Sequence, residues 1–265
     1  MVKAAKAENR YRQLIEKIFF DHWSAGVTEF VFARDELKST ADALGLKLPD
    51  NLGDVIYSFR FRTALPEAIV KTQPSGREWV IEGAGRSKYR FKLFKETRIV
   101  PNPQLVTIAI PDATPEVIRA HALDDEQALL AIVRYNRLVD TFLGLTTYSL
   151  QNHLRTTVEG IGQIEIDELY IGLDRRGGHT VIPVQAKGGK DQIGIVQITQ
   201  DIQFAAQKFP GLRCRPLAAQ FMDGGVVALL ELTLDGDEVK VLEERHYRLV
   251  PASQLDHDAI RRYGD

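Results

Sequence analysis

The segment from Ile164 to Lys187 restricts the fold more than any other part of the chain. Two runs rich in β-branched residues flank the turn-forming sequence Asp174-Arg175-Arg176-Gly177-Gly178. They are Ile164-Glu165-Ile166-Asp167-Glu168-Leu169-Tyr170-Ile171 and Thr180-Val181-Ile182-Pro183-Val184-Gln185-Ala186-Lys187. Side chains alternate along a strand, so Glu165 and Asp167 share one face and Ile164 and Ile166 the other. Gln185 and Lys187 likewise share a face of the second run. Folding the runs into a hairpin about Arg176 and Gly177 pairs residues whose numbers sum to about 353. Asp167 then stands opposite Ala186, flanked by Gln185 and Lys187. Pro183 removes a ladder donor and calls for a bulge or a short pairing segment.

One small area thus gathers two carboxylates, an amide oxygen and an ammonium. Hydrolysis of a phosphodiester needs such a set. Carboxylate and amide oxygens suit Mg²⁺, the ion neutralises the phosphate and acidifies a bound water, and a lysine stabilises charge developing on the phosphorus centre. A helix follows, with Asp191 as its expected cap, Val196, Ile202, Ala205, Ala206 and Phe209 as its apolar stripe, and Pro210-Gly211 at its end. Leu217 to Phe221 and Val226 to Thr233 supply further strands.

An acid on one strand, acid-x-Lys on the next and then a helix is the pattern of the PD-(D/E)XK nucleases, which include many type II restriction endonucleases. Over roughly Tyr148 to Leu234 the chain resembles that superfamily. Asp167 matches the first acid. Gln185-Ala186-Lys187 matches the second motif with Gln in place of Glu or Asp, and Glu165 is the candidate to restore the missing charge. The resemblance implies catalytic roles for Asp167, Gln185, Lys187 and Glu165, with Mg²⁺ held by Asp167 and Gln185. The family often draws a further acid from an upstream helix, for which Asp140 and Glu159 are candidates. The resemblance also implies an α/β (α+β) fold, a restriction-endonuclease-like mixed sheet flanked by helices.

The N-terminal part has a different pattern. Tyr11, Leu14, Ile15, Ile18, Phe19 and His22 recur at helical spacing, and Gly26 closes the helix. A strand over Thr28–Ala33 follows, then helices from Asp35 to Leu44 and from Leu52 to Arg62. A hairpin of Arg77–Glu82 and Lys88–Phe94 turns through Gly83-Ala84-Gly85. Helix, strand, helix, helix, hairpin is the order of a winged helix-turn-helix. Lys88, Arg90 and Lys92 fall on one face of the last strand, opposite Tyr89, Phe91 and Leu93, as a wing lying along phosphates requires. Arg60 and Arg62 are expected near the exposed side of the preceding helix. These five cations are the candidate DNA contacts, and a solvated strand face is the plainer reading of the stripe.

Charge supports a division into parts. Residues 1–100 carry 18 Lys and Arg against 13 Asp and Glu, and the remainder 16 against 23. A basic module joined to an acidic one fits a nucleic-acid-binding part and a part rich in metal-binding carboxylates. The expected domains are 1–100, winged-helix-like, and 101–265, the nuclease. Pro101, Pro103, Pro111 and Pro115 mark a linker around a short strand, Leu105–Ile110. Beyond it, helices are expected over Asp124–Leu143 and roughly Tyr148–Val158. The second would carry Gln151, His153 and Arg155 towards DNA or the site.

Cys214 is the one cysteine, which excludes an internal disulfide and a multi-cysteine zinc site. No run approaches the roughly 18 apolar residues of a membrane helix. The charged start to Arg12 lacks the apolar core of a secretory signal, so a cytoplasmic protein is expected. His179 reads as a solvated turn residue. Gly188-Gly189-Lys190 lacks the frame of a phosphate-binding loop. The expectation is a sequence-specific, Mg²⁺-dependent endonuclease of double-stranded DNA, dimeric because a palindromic site mirrors a two-fold axis. A structure-specific repair nuclease and a DNA-binding regulator with an inactive nuclease core are the alternatives.

Overall fold

The computed structural model describes residues 2–49, 51–61, 63–95, 97–121, 126–189, 191–236, 238–255 and 261. Arg62, Asp124 and Lys190, which the sequence singled out, lie outside them. The chain divides into two compact units. One is Met1–Thr97 with Thr157–Ile164; the other is Arg98–Thr156 with Glu165–Asp265. The division falls at the start of the proline-rich segment, and a distant stretch, residues 157–164, belongs with the first unit. No described helix is long and apolar enough to cross a membrane.

The first unit runs α1 (Val2–His22), β1 (Glu29–Ala33), α2 (Glu36–Ala43), α3 (Gly53–Phe61), α4 (Glu67–Val70), β2 (Glu78–Gly83) and β3 (Lys88–Phe94). Its antiparallel sheet has the order β1-β3-β2. The helical period of α1 buries Leu14, Ile15, Ile18 and Phe19 against Phe32, Trp79, Ile81 and Phe91. Phe19 sits at the centre, its ring edge-on to Phe91 at 5.1 Å and to Trp79 at 5.2 Å. Asp35 precedes α2 without capping it through its side chain. Instead the Ala33 amide donates to the Glu36 carboxylate at 2.6 Å.

The second unit holds most of the remaining elements: β4 (Arg98–Ile99), β5 (Thr107–Pro111), α5 (Glu116–Arg119), α6 (Glu126–Tyr135), α7 (Leu138–Leu143), β6 (Thr146–Val158), β7 (Gly162–Leu173), β8 (His179–Lys187), β9 (Ile193–Gly194), α8 (Ile195–Lys208), β10 (Arg213–Cys214), β11 (Leu217–Met222), β12 (Val226–Asp235) and β13 (Glu238–Val250). The turn joining β6 to β7, with the adjoining strand ends, is residues 157–164 of the first unit. A mixed eight-stranded sheet runs β5-β13-β12-β11-β8-β7-β6, with β10 beside β8. β11 lies parallel to β8, and β5 parallel to β13. Apolar residues of α6 and α7 pack on one sheet face with Tyr170, Ile182, Val184, Ala186, Leu217 and Leu229. Gln185, of the opposite parity on β8, bonds to Asp201 of α8, which puts α8 on the other face.

Several expectations are corrected here. The helix expected over Asp124–Leu143 is two helices, broken where Arg137 takes a left-handed backbone with φ 50°. Tyr148–Val158 is not a helix but most of strand β6, whose Thr146, Thr147, Thr156, Thr157 and Val158 favour extended backbone. The strand expected within the proline-marked segment, Leu105–Ile110, is present as β5, and it lies at the edge of the large sheet rather than in a linker. Asp191 does not cap α8; Gly194 occupies the cap position. The β7–β8 register sums to 352, as in Glu168↔Val184 and Leu169↔Pro183, one residue from the expected pairing. Pro183 sits in the gap on β8 between its pairings with β10, at Thr180 and Val181, and with β11, which starts at Val184. A missing donor is tolerated best in such a gap.

Candidate functional site

The site begins where the β7–β8 ladder stops. Beyond Glu168↔Val184 the two strands are joined by side chains instead. The Ala186 amide donates to Asp167 Oδ2 at 2.8 Å, and Gln185 Nε2 donates to the Glu165 carbonyl at 3.0 Å. Asp167 is thus bonded to the backbone of the Gln185-Ala186-Lys187 segment and lies near enough to Lys187 and Glu126 to feel both charges. Asp167 and Gln185 are buried, and the Lys187 side chain is 15% exposed.

Each charged group has an identifiable partner. Lys187 Nζ donates to Glu126 Oε1 at 2.7 Å. Glu126 opens α6 and is not one of the upstream acids, Asp140 and Glu159, that the sequence offered. Asp140 is instead engaged by the Thr147 amide and hydroxyl, both at 2.8 Å, and by Arg137. Glu159 lies in the β6–β7 turn, within the first unit. Glu165 pairs with Arg155 at 3.0 Å and His153 at 3.2 Å. Both come from strand β6 rather than from the expected helix, and they take up much of the charge that Glu165 was expected to lend the site. Burial raises the Asp167 carboxyl above its ordinary pKa, and the neighbouring Glu126 and Glu165 raise it further. The Ala186 amide and the Lys187 ammonium act in the opposite direction.

Beneath Gln185 lies an acid that the sequence reading missed. Asp201 of α8 is fully buried, and both its oxygens lie near Gln185 Nε2, at 3.1 and 3.0 Å. Gln197, one turn earlier, donates to Gln185 Oε1 at 3.3 Å. Burial, and then the proximity of Asp167, holds the Asp201 carboxyl well above the usual carboxylate range. The signal was present in the sequence. The buried stripe of α8 is Ile198, Asp201, Phe204 and Ala205, and an acid at a core position of an amphipathic helix marks a polar partner inside. Of the expected stripe, Val196 and Ala205 are buried, whereas Ile202, Ala206 and Phe209 are not.

Among the described residues no three His, Cys, Asp or Glu side chains converge tightly enough to cage a metal ion by themselves. Magnesium does not require such a cage, since one or two carboxylates and several retained waters hold it. Asp167, the amide oxygen of Gln185 and the nearby Glu126 are hard oxygen donors of that kind. Burial, and then the like charges of Glu126 and Glu165, disfavour the Asp167 carboxylate, and a bound cation would offset both. The residues therefore fit a hydrated Mg²⁺.

The expected DNA-binding cations are placed differently from one another. Lys88 is exposed at the end of β3. Arg90 is tied to Glu29 at 3.5 Å and Glu82 at 3.7 Å, both from neighbouring strands on the same face. Lys92 stands across from Glu29, its ammonium 5.4 Å from the centre of the Phe94 ring. Arg60 is half-buried. Burial lowers its guanidinium pKa, with Tyr89 and Glu82 acting against that. The stripe is thus partly neutralised by acids that its own register brings alongside.

Comparison with protein-family models, with curated proteins and with solved structures yields no match to this chain.

Proposed function

We propose that this chain is a Mg²⁺-dependent endonuclease that hydrolyses phosphodiester bonds of double-stranded DNA, with its cleavage site around Asp167, Gln185 and Lys187. One observation carries the reading. Asp167 accepts from the backbone of the Gln185-Ala186-Lys187 motif, and an acid from an upstream helix, Glu126, is bonded to Lys187. Strand with acid, strand with Gln-x-Lys and then helix α8 is also the order that the PD-(D/E)XK resemblance implies. In the first unit, the element order and the sheet order β1-β3-β2 support a winged-helix reading, with the β2–β3 hairpin as its wing.

Asp167, Gln185 Oε1 and Glu126 are the donors that would hold the metal, which when bound neutralises phosphate charge and acidifies a water. Lys187 orients the attacking water and stabilises negative charge growing on the phosphorus centre. Its contact with Glu126 keeps the ammonium in place until the phosphate arrives. Burial of Asp167 and Gln185 keeps competing water away from the donors. A two-fold dimer would present two such sites to the two strands of a palindrome.

The test is incubation of mixed plasmid DNA with the protein and Mg²⁺, followed by sequencing of the ends. Discrete ends are expected for a restriction-type enzyme, whereas cutting confined to flaps or junctions would indicate a repair nuclease. Asp167→Asn and Lys187→Ala should each lower the cleavage rate at least about a hundredfold while duplex binding persists. Full activity in either variant would refute the assignment. The neutral Gln185 favours a second reading, a DNA-binding protein with a silent core. It predicts duplex binding with no Mg²⁺-dependent cutting by the unmodified chain.

A further inference from the structure

Gln185 replaces the acid expected at its position, and an amide differs from a carboxylate in one respect that matters to a metal. Its two ends are chemically opposite, an oxygen that accepts and an NH₂ that donates. Turned by half a rotation about its last bond, Gln185 would offer hydrogens instead of oxygen to a cation. Something must decide which end faces which way.

We propose that Asp201 is the positioning residue that fixes the Gln185 amide, holding its NH₂ so that the oxygen is the end left for a cation. The inference rests on the nuclease reading above. Both hydrogens of Gln185 Nε2 have acceptors: the Glu165 carbonyl at 3.0 Å, and the Asp201 carboxyl, whose oxygens lie at 3.1 and 3.0 Å. The reversed amide would set Oε1 against the Glu165 carbonyl oxygen and give up the hydrogen bonds that Nε2 makes in a buried position. Gln197 Nε2 donates to Oε1 at 3.3 Å and leaves that oxygen a second lone pair for a cation or its water. An acid in the middle of the apolar stripe of α8 has no role in packing; its contact with Gln185 accounts for it. Groups that orient a metal's ligands commonly control affinity as strongly as some ligands do.

Two measurements on the full-length chain test this, one of them without metal. The side-chain NH₂ signals of Gln185, identified by their loss in Gln185→Leu, should be sharp and slow to exchange. In Asp201→Leu, and in Asp201→Ala should the first variant not fold, they should broaden and exchange with solvent. Unchanged signals would overturn the proposal. The second measurement is Mn²⁺ binding followed by electron paramagnetic resonance, Mn²⁺ standing in for Mg²⁺ at oxygen sites. Asp201→Leu should weaken binding about tenfold in the native background, and should add nothing in a Gln185→Leu background. Asp201→Asn, which keeps an acceptor, should recover most of the affinity. The same weakening in both backgrounds would mean that Asp201 acts on the metal without Gln185, and would overturn the inference while leaving the nuclease reading intact. A native chain that binds no Mn²⁺ and cuts no DNA would overturn both.

Discussion

Cys214 shows how strongly its surroundings can silence one side chain. It sits on β10 beside Val181 of β8, and burial pushes its thiol up to about 12. At pH 8 the folded thiol should therefore react with iodoacetamide roughly a thousandfold more slowly than the unfolded one, whose pKa is about 8.5. Equal rates with and without denaturant would disprove this burial. The sign follows from linkage. A thiol whose folded pKa is raised keeps its full contribution to stability below the unfolded value, and loses it as pH climbs from there towards 12. At the same scale, the closeness of Asp167 to the Gln185-Ala186-Lys187 segment was legible because two strand-forming runs flank a turn signal, although the register differs by one residue from the expected one. Glu126 was not, because nothing near it in sequence signals that Lys187, 61 positions later, will meet it. Asp201 was legible in principle, as an acid at a core position of α8, but the expected stripe left it out.

Among the elements, glycine and backbone approach decide the sharpest case. A Cβ on Gly83, at the end of β2, would lie 2.0 Å from the main-chain oxygen of Ile161. That oxygen belongs to backbone and cannot swing aside as a flexible side chain can. Gly83→Ala should cost about 1–3 kcal/mol or more, read as a lower denaturation midpoint at unchanged slope. A midpoint equal to that of the native chain would show that the two segments do not meet. The elements read wrongly from sequence share a cause with this contact, which is that long-range partners outweigh local preference. β6 carries Leu150, Leu154 and Val158 at a helical spacing, yet pairing with β7 makes it a strand. β5 was expected as a strand, but not its place in the large sheet, because its partner β13 had not been identified from sequence. The break between α6 and α7 rests on Arg137 at positive φ, with the Thr141 hydroxyl and amide both closing on its carbonyl at 3.1 and 3.0 Å. No proline or glycine at the break announced it.

For the whole molecule, the basic and acidic parts of the sequence anticipated two units, but charge alone could not show that residues 157–164 return to the first. Nor could it show which cations remain available to a phosphate. Lys88 is exposed, whereas Arg90 lies between Glu29 and Glu82. Each lysine or arginine that neutralises a phosphate releases counterions, so the slope of log affinity against log salt counts such contacts. Lys88→Gln should therefore weaken duplex binding evenly across sequences and reduce that slope by about one. Arg90→Gln should leave the slope nearly unchanged, because the guanidinium it removes is already balanced by two carboxylates. Its effect should appear in the thermal stability of the first unit, where Glu29 and Glu82 lose the cation between them. Titrations at several salt concentrations on both variants check this directly. Equal slopes for native, Lys88→Gln and Arg90→Gln chains would remove β3 from the DNA interface and leave the charge asymmetry as a matter of solubility alone.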